Sequence, residues 1–266
     1  MLLAVKSRLG QSAIKVDRVK SEKNKELDTE TRLLPTLTLM KPRNIVIVRH
    51  GQSEGNANPE VRRTKPDYAL NLTPFGEKQA EIVGKDLKDL FGDEKIGIYC
   101  SPYFRTKQTL FNIRKSISDS QIEWIKEDPR IREQEWGNLE QPGSEDFEQE
   151  RDSFGKFFYR FPNGESGGDV YDRCTGFLDT LYRDFEKPNC PDNILIVCHG
   201  FTMRVLLARW LHLDVETFQR MKNPENCGCF SLFLNEKGKY EILKGVDYYC
   251  DQGRVPYEYS DQPNSN

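Results

Sequence analysis

Asn44-Ile45-Val46-Ile47-Val48-Arg49-His50-Gly51 sets an unbroken run of branched apolar residues directly against an arginine, a histidine and a glycine. A continuous β-branched run of this length suits a strand buried on both faces. Such strands belong to sheets covered by helices on each side. In open α/β sheets, ligands bind just beyond the carboxyl ends of the strands. The run therefore predicts an α/β fold and also the edge at which its chemistry sits.

The same arrangement returns twice. Ile96 to Cys100 leads into Ser101-Pro102-Tyr103-Phe104-Arg105-Thr106, and Asn193 to Cys198 leads into His199-Gly200. Helical signals fill the intervals. Thr73-Pro74 opens a helix, with Thr as N-cap and Pro at the first helical position. Ala80, Val83, Leu87 and Leu90 recur at helical spacing as its core face, and Gly92 ends it. A second helix starts near Pro102 and runs past Thr109. Residues 144–161, rich in Phe, predict a third, and 169–186 a fourth, with Val170, Cys174, Phe177, Leu178 and Leu181 on one face. Thr202 to Leu211 predicts another. Ile122 to Ile125 is a short strand candidate, and Phe230 to Leu234 with Tyr240 to Leu243 reads as an antiparallel pair around Lys237-Gly238. There is no internal repeat. The alternating order points to a mostly parallel central sheet with helices on both faces.

The chain has 266 residues, a net charge of -3 and 30% charged residues, which describes a soluble globular protein and gives no electrostatic reason to expect nucleic acid. No apolar run approaches the ~20 residues needed to cross a bilayer. Residues 1–42 read as a flexible appendage, because Lys20 to Arg32 is dense in charge and poor in apolar residues. Lys6, Arg8 and Lys15 give its start a weak transit-peptide or membrane-docking pattern, against which a solvated tail is preferred. Residues 43–250 read as the folded domain and 251–266 as a polar tail. The seven cysteines are odd in number and scattered. Reduced thiols in the cytoplasm are the expectation, packed as small apolar residues on strands. Cys227-Gly228-Cys229 is one residue short of a CxxC pair.

Three strand ends thus carry two arginines and two histidines to one edge, and the chain holds only 3 histidines in all. A lone histidine after a strand is more often structural than catalytic. His212, in Leu211-His212-Leu213, is assigned that way. The joint occurrence points to phosphate. Arginine stays charged and offers a planar fork that matches phosphate oxygens. A neutral imidazole is a competent nucleophile. Phosphoryl transfer needs donors around the equatorial oxygens and an acid for the leaving alkoxide.

Arg49-His50-Gly51 with Ser53 and Asn56 resembles the RHGxSxxN signature of the histidine phosphatase superfamily, which includes the cofactor-dependent phosphoglycerate mutases. Ser101-Pro102 through Arg105, Gln108 and Thr109 resembles that family's SPxxRxxQT motif. Glu133 to Gly137 resembles its ExxxG acid loop, Pro162 to Ser166 its PxGES element, and His199-Gly200 its final HG. All occur in the family's order, over about residues 43–245. Arg130 to Asn138, with Phe157 to Pro162, looks closest to a phosphoglycerate-mutase-like branch. The resemblance implies a three-layer α/β/α sandwich and no metal or other cofactor. It implies His50 as nucleophile, Arg49, Arg105 and His199 as phosphate ligands, and Glu133 as proton donor. Gly51, Ser53, Asn56 and Gly200 would complete the phosphate site. Glu135 is the competing acid, and a phosphate dianion is expected to raise the pKa of the true donor. Where many members have Glu-Gly, this chain has Glu140-Gln141 before Pro142-Gly143.

The expected activity is hydrolysis of a small phosphomonoester through a phosphohistidine. The alternatives are a phosphoglycerate mutase and a non-catalytic phosphate-binding scaffold. Glu133 is followed by Gln134, Glu135 and Trp136 rather than by the basic loop typical of those mutases, which argues against a second anionic group on the substrate. Tyr68, Trp136, Phe157 and Tyr159 line the substrate pocket or fill core. Substrate identity and oligomeric state are left open.

Overall fold

The branched run does form a strand, β1 (Asn44–Arg49), and Ile45, Val46, Ile47 and Val48 are each no more than 1% exposed. The computed structural model describes residues 41–137, 145–242, 249–250 and 253–254. After β1 come α1 (Glu54–Ala57), α2 (Pro74–Phe91), β2 (Ile96–Cys100), α3 (Phe104–Ile113) and β3 (Ile122–Glu127). Then follow α4 (Glu145–Phe154), α5 (Gly167–Phe185), β4 (Asn193–Cys198), α6 (Gly200–Trp210), α7 (Val215–Arg220), β5 (Cys229–Leu234) and β6 (Tyr240–Ile242). The 6-stranded sheet has the order β3-β2-β4-β1-β5-β6. Its first three pairings are parallel and its last two antiparallel.

Alternation along the central strands explains the layers. Ile45, Ile47, Tyr99, Ile194 and Ile196 face α5 and α6, meeting Cys174, Phe177, Leu181 and Leu206. Val46, Val48, Ile96, Ile98, Leu195 and Val197 face α2 and α3, meeting Ala80, Leu87, Leu110 and Ile113. The result is a three-layer α/β/α arrangement. Each buried branched side chain contributes about 1.5–3 kcal/mol relative to exposure.

The predicted boundaries of β2 and β4 and of α2, with Thr73 as N-cap and Gly92 as C-cap, match the structure. Other expectations are corrected. The buried stripe of α2 runs through Gly76, Ala80, Gly84, Leu87 and Phe91, while Leu90 is 38% exposed. Phe91 lies one residue further round the helix and takes the inward place. The helix predicted over 144–161 ends at Phe154, because Gly155 turns the chain with a φ of 105°. Beyond that turn Phe157 and Tyr159 pack inward, and Phe158 points to solvent. Helix α7 was not assigned from sequence. Cys100 and Cys198 are buried on strands as expected, but Cys174 is buried on α5 and Cys227 in a loop.

His212 is exposed at the end of α6. It adopts a φ of 54° while Leu213 N–H donates to the Ala208 carbonyl at 2.9 Å, a Schellman-type helix stop. The expected appendage falls, apart from Lys41 and Pro42, outside the described residues, and so does most of the expected tail. Tyr249–Cys250 and Gly253–Arg254 pair as a separate two-stranded ladder. No helix among the described residues is long and apolar enough to cross a membrane.

One close approach ties α2 to the end of β1. A Cβ built on Gly51 would lie 2.4 Å from the Gly76 carbonyl oxygen, and one on Gly76 would lie 2.1 Å from that of Gln52. Both obstacles are backbone, so they cannot swing aside. Gly51→Ala is therefore expected to lower the unfolding free energy by about 2–3 kcal/mol, as overpacking does. An unchanged urea midpoint would show that this contact is not needed.

Candidate active site

Sheet register brings the two histidines together. In the parallel pairing of β1 with β4, Arg49 stands opposite Cys198, so His50 and His199 leave adjacent strands at the same level. Their ring centroids lie 5.2 Å apart at an interplanar angle of 63°. Both are buried, at 3% and 0% exposure.

The RHG turn is held from several sides. His50 N–H donates to the Cys198 carbonyl at 3.0 Å, and Gly51 N–H to Thr109 Oγ1 at 3.0 Å. Thr109 Oγ1 in turn donates to the Arg105 carbonyl at 2.7 Å. Ser53 caps α1 in a capping box with Asn56. The Asn56 amide oxygen accepts from Ser53 N–H, Ser53 Oγ and Asn226 Nδ2 at 3.0–3.1 Å, so its NH2 is the group it can offer to a ligand.

His50 has a defined tautomer. Nδ1 lies 2.7 Å from the Gly51 carbonyl oxygen, which makes Nδ1 the protonated nitrogen. Nε2, with its lone pair, accepts from Arg105 Nε at 3.2 Å. Burial, reinforced by the charges of Arg105 and Arg49, holds its pKa well below the ordinary value of 6.5. Burial does the same to His199, helped by Arg105 and by His50. His199 Nε2 pairs with Ser101 Oγ at 2.7 Å, and its Nδ1 is buried with no partner among the described residues.

A cleft of about 230 Å³ lies in front of this turn. Its walls bring together Arg49, His50, Ser53, Asn56, Arg105 and Glu133 of the expected residues; His199 is not among the lining residues but packs edge-to-face against the His50 ring. Gly200 closes against the site, since a Cβ there would lie 3.1 Å from Asn223 and 3.3 Å from Arg49 Nε. Arg49 donates Nη1 to the Pro224 carbonyl, and its Nε is buried without a partner among the described residues. Burial lowers its pKa, opposed by Glu133. Arg105 is engaged by Asp67, whose carbonyl and carboxylate accept at 2.6 and 2.9 Å.

Glu133 reaches the cleft from the loop after β3. Its carboxylate accepts from Gln134 N–H at 3.0 Å and, at the start of α6, from Thr202 N–H and Oγ1 at 3.3 Å and Phe201 N–H at 3.4 Å. The Pro162–Ser166 element sets this loop. Glu165 N–H donates to the Glu135 carbonyl at 2.8 Å, and the Glu165 carboxylate pairs with Arg132 and Arg173. Arg173 also donates to the Arg130, Arg132 and Glu133 carbonyls. Glu135 is exposed and does not line the cleft; it lines an adjoining hollow with Tyr68 and Tyr103, which shares Asp67 and Trp136 with the cleft. Residues 138–144, which include the Glu140-Gln141 departure, lie outside the described residues. Trp136 lines the cleft, whereas Phe157 and Tyr159 fill core.

Sequence reasoning did not pick out Arg62, Asp67, Arg151 or Asn223, which also line the cleft. Arg62 and Asp67 come from the connection between α1 and α2, Arg151 from α4 and Asn223 from the loop after α7. Among the described lining residues four arginines face two carboxylates, an excess of positive charge that suits a phosphoryl dianion. No group of His, Cys, Asp and Glu among the described residues is arranged to hold a metal.

The depressed histidine pKa values carry a sign for stability. The unfolded chain binds a proton on each imidazole below about pH 6.5, and the folded chain does not. Stability is therefore full above that pH and falls as pH drops below it, by about 1.4 kcal/mol per unit for each histidine. Urea unfolding at a series of pH values between neutrality and mild acidity measures this. A flat profile would mean that the folded protein protonates both rings.

The sequence model for the histidine phosphatase superfamily (branch 1) matches residues 45–245. Phosphoglycerate mutase-like protein AT74H of Arabidopsis thaliana is 37% identical over 217 residues, 76% of this chain and 77% of its own. The broad-range acid phosphatase DET1 of Saccharomyces cerevisiae is 27% identical, with 79% of this chain and 91% of its own length aligned. Among solved structures, Bacillus stearothermophilus YhfR superposes with a TM-score of 0.61 at 22% identity, covering 77% of this chain and 98% of its own. The matched region spans the strands and loops that meet around His50, and this chain belongs to branch 1 of the histidine phosphatase superfamily.

Proposed function

We propose that this chain hydrolyses small phosphomonoesters through a phosphohistidine on His50. The observation that carries this reading is the state of His50: proton on Nδ1, lone pair on Nε2, neutral, and ringed by arginines. Nε2 attacks phosphorus as the P–O bond to the leaving group breaks, and Glu133 gives its proton to the departing alkoxide. Arg49, Arg105 and His199 Nδ1 bind the phosphoryl oxygens, with Asn56 and the turns at Gly51, Ser53 and Gly200 framing them. The Glu133 carboxylate then takes a proton from water, whose oxygen attacks phosphorus. The N–P bond breaks, His50 is restored, and phosphate leaves with one water consumed.

The names of two yeast relatives, a broad-range acid phosphatase and a sedoheptulose 1,7-bisphosphatase, support hydrolysis. The free thiols of the described cysteines favour a reducing, cytoplasmic setting. The test is phosphate release without added metal from a panel of esters: 3-phosphoglycerate, a sugar bisphosphate, a nucleotide, a phosphopeptide, an inositol phosphate and an aryl phosphate. Release that disappears in His50→Ala supports the proposal. Conversion of 3-phosphoglycerate to 2-phosphoglycerate with no release would replace it by a mutase. Silence in both assays would leave a binding scaffold.

A further inference from the structure

We propose that Asp67 is a positioning residue for the phosphoryl transfer, holding the Arg105 guanidinium so that it stays aimed at His50 and the incoming phosphorus. This goes beyond the phosphatase reading and rests on it. The Arg105 side chain is only 4% exposed, and its surroundings fix it from three directions. Nε donates to His50 Nε2 at 3.2 Å. The Tyr103 ring covers the guanidinium, with its centre 4.9 Å away. Nη1 donates to the Asp67 carbonyl at 2.6 Å and Nη2 to the Asp67 carboxylate at 2.9 Å. Three of the five guanidinium N–H groups are thus engaged, and one remains on each Nη. Two nitrogens bonded to one residue fix the plane of the group as well as its place.

Asp67 is itself held in position. It opens a single 3-10 turn, Asp67–Ala69, in which Ala69 N–H donates to the Pro66 carbonyl at 2.9 Å. Leu70, just beyond, is fully buried. Leu72 N–H donates to Gln108 Oε1 at 2.7 Å, and Gln108 Nε2 donates to Asn71 Oδ1 at 3.0 Å. Gln108 stands three residues after Arg105 on α3, so one stretch of helix carries the arginine and anchors the segment that bears its partner.

The charge pattern points the same way. Asp67 is the sole acid of residues 61–69, beside Arg62, Arg63 and Lys65. A carboxylate on the wall of a cleft for a dianion works against binding unless a cation absorbs its charge, and Arg105 does so here. During attack, His50 Nε2 exchanges the Arg105 hydrogen bond for a bond to phosphorus, and the freed Nε–H passes to a phosphoryl oxygen. A tethered guanidinium makes that exchange in place, already aligned with the charge that develops in the transition state.

The test is a double-mutant cycle on an aryl phosphate, with the parent, Asp67→Asn, Arg105→Ala and the double variant. Asparagine keeps the shape and an acceptor oxygen, and thermal unfolding checks that each variant is folded. Asp67→Asn should lower kcat by about 10–100-fold, the scale of a misaimed catalytic group, with KM within about threefold. Arg105→Ala should cost about 10²–10³-fold. In the Arg105→Ala background, Asp67→Asn should cost no more than about threefold, because the group it positions is gone. A purely structural role would give equal losses in both backgrounds. That result, a loss below about threefold in Asp67→Asn alone, or a gain in activity, would overturn the inference and leave the phosphatase standing. A parent that releases no phosphate would remove both.

Discussion

Replacing His50 by alanine is expected to lower kcat/KM for an aryl phosphate by about 10⁴-fold or more, roughly 5.5 kcal/mol of transition-state stabilisation. The size follows from what remains. Arg49, Arg105 and His199 would still bind the ester, but no group within reach could form the covalent intermediate, and water would have to attack directly. The loss belongs almost wholly in kcat, because the phosphate donors that set ground-state binding are untouched. His50 is buried, so the alanine leaves a cavity, and His50→Gln provides a shape-conserving control. The parent should acquire an acid-labile, base-stable phosphoryl group when quenched during turnover, and neither variant should. A variant that keeps a tenth of parental activity would exclude His50 as the nucleophile.

Exchanging Glu133 for glutamine should cost about 10²–10³-fold on an alkyl phosphate, the usual scale for removing a general acid. The loss should be smaller on an aryl phosphate, whose leaving group needs less help. Glu135→Gln is the matched control. Glu135 lies two residues away but lines another hollow, so its exchange should change turnover by no more than about twofold. The geometric reason is the clamp at the start of α6, where Phe201 and Thr202 hold the Glu133 carboxylate toward the cleft. If Glu135→Gln were the damaging exchange, the proton donor would have to be reassigned.

The parts of the fold that were legible in the sequence are those buried on both faces. β1, β2 and β4 are continuous apolar runs because no face meets water, and their ends coincide with the motif residues. His50, Arg105 and His199 were legible because the motif that carries each begins where such a run ends, whereas Glu133, on a loop beyond the half-exposed β3, came only from the family resemblance. Arg62, Asp67, Arg151 and Asn223 were not legible. They lie in charged segments whose local pattern is that of any solvated surface, and only the tertiary fold turns them toward His50. The misplaced end of α4 has a local cause, since the spacing of Phe147, Phe154, Phe157 and Phe158 continues a helical pattern through Gly155, where the backbone leaves the helix.

The in-register pairing of β1 with β4 has a consequence for how the protein matures. The two imidazoles hang from neighbouring strands and meet only when Arg49 stands opposite Cys198. A slip of one residue would send one ring to the opposite face of the sheet while leaving the apolar run nearly as well buried. A collapsed species with much of its helix content would therefore be catalytically silent. Turnover, followed during refolding, would report the moment at which the two central strands find their alignment.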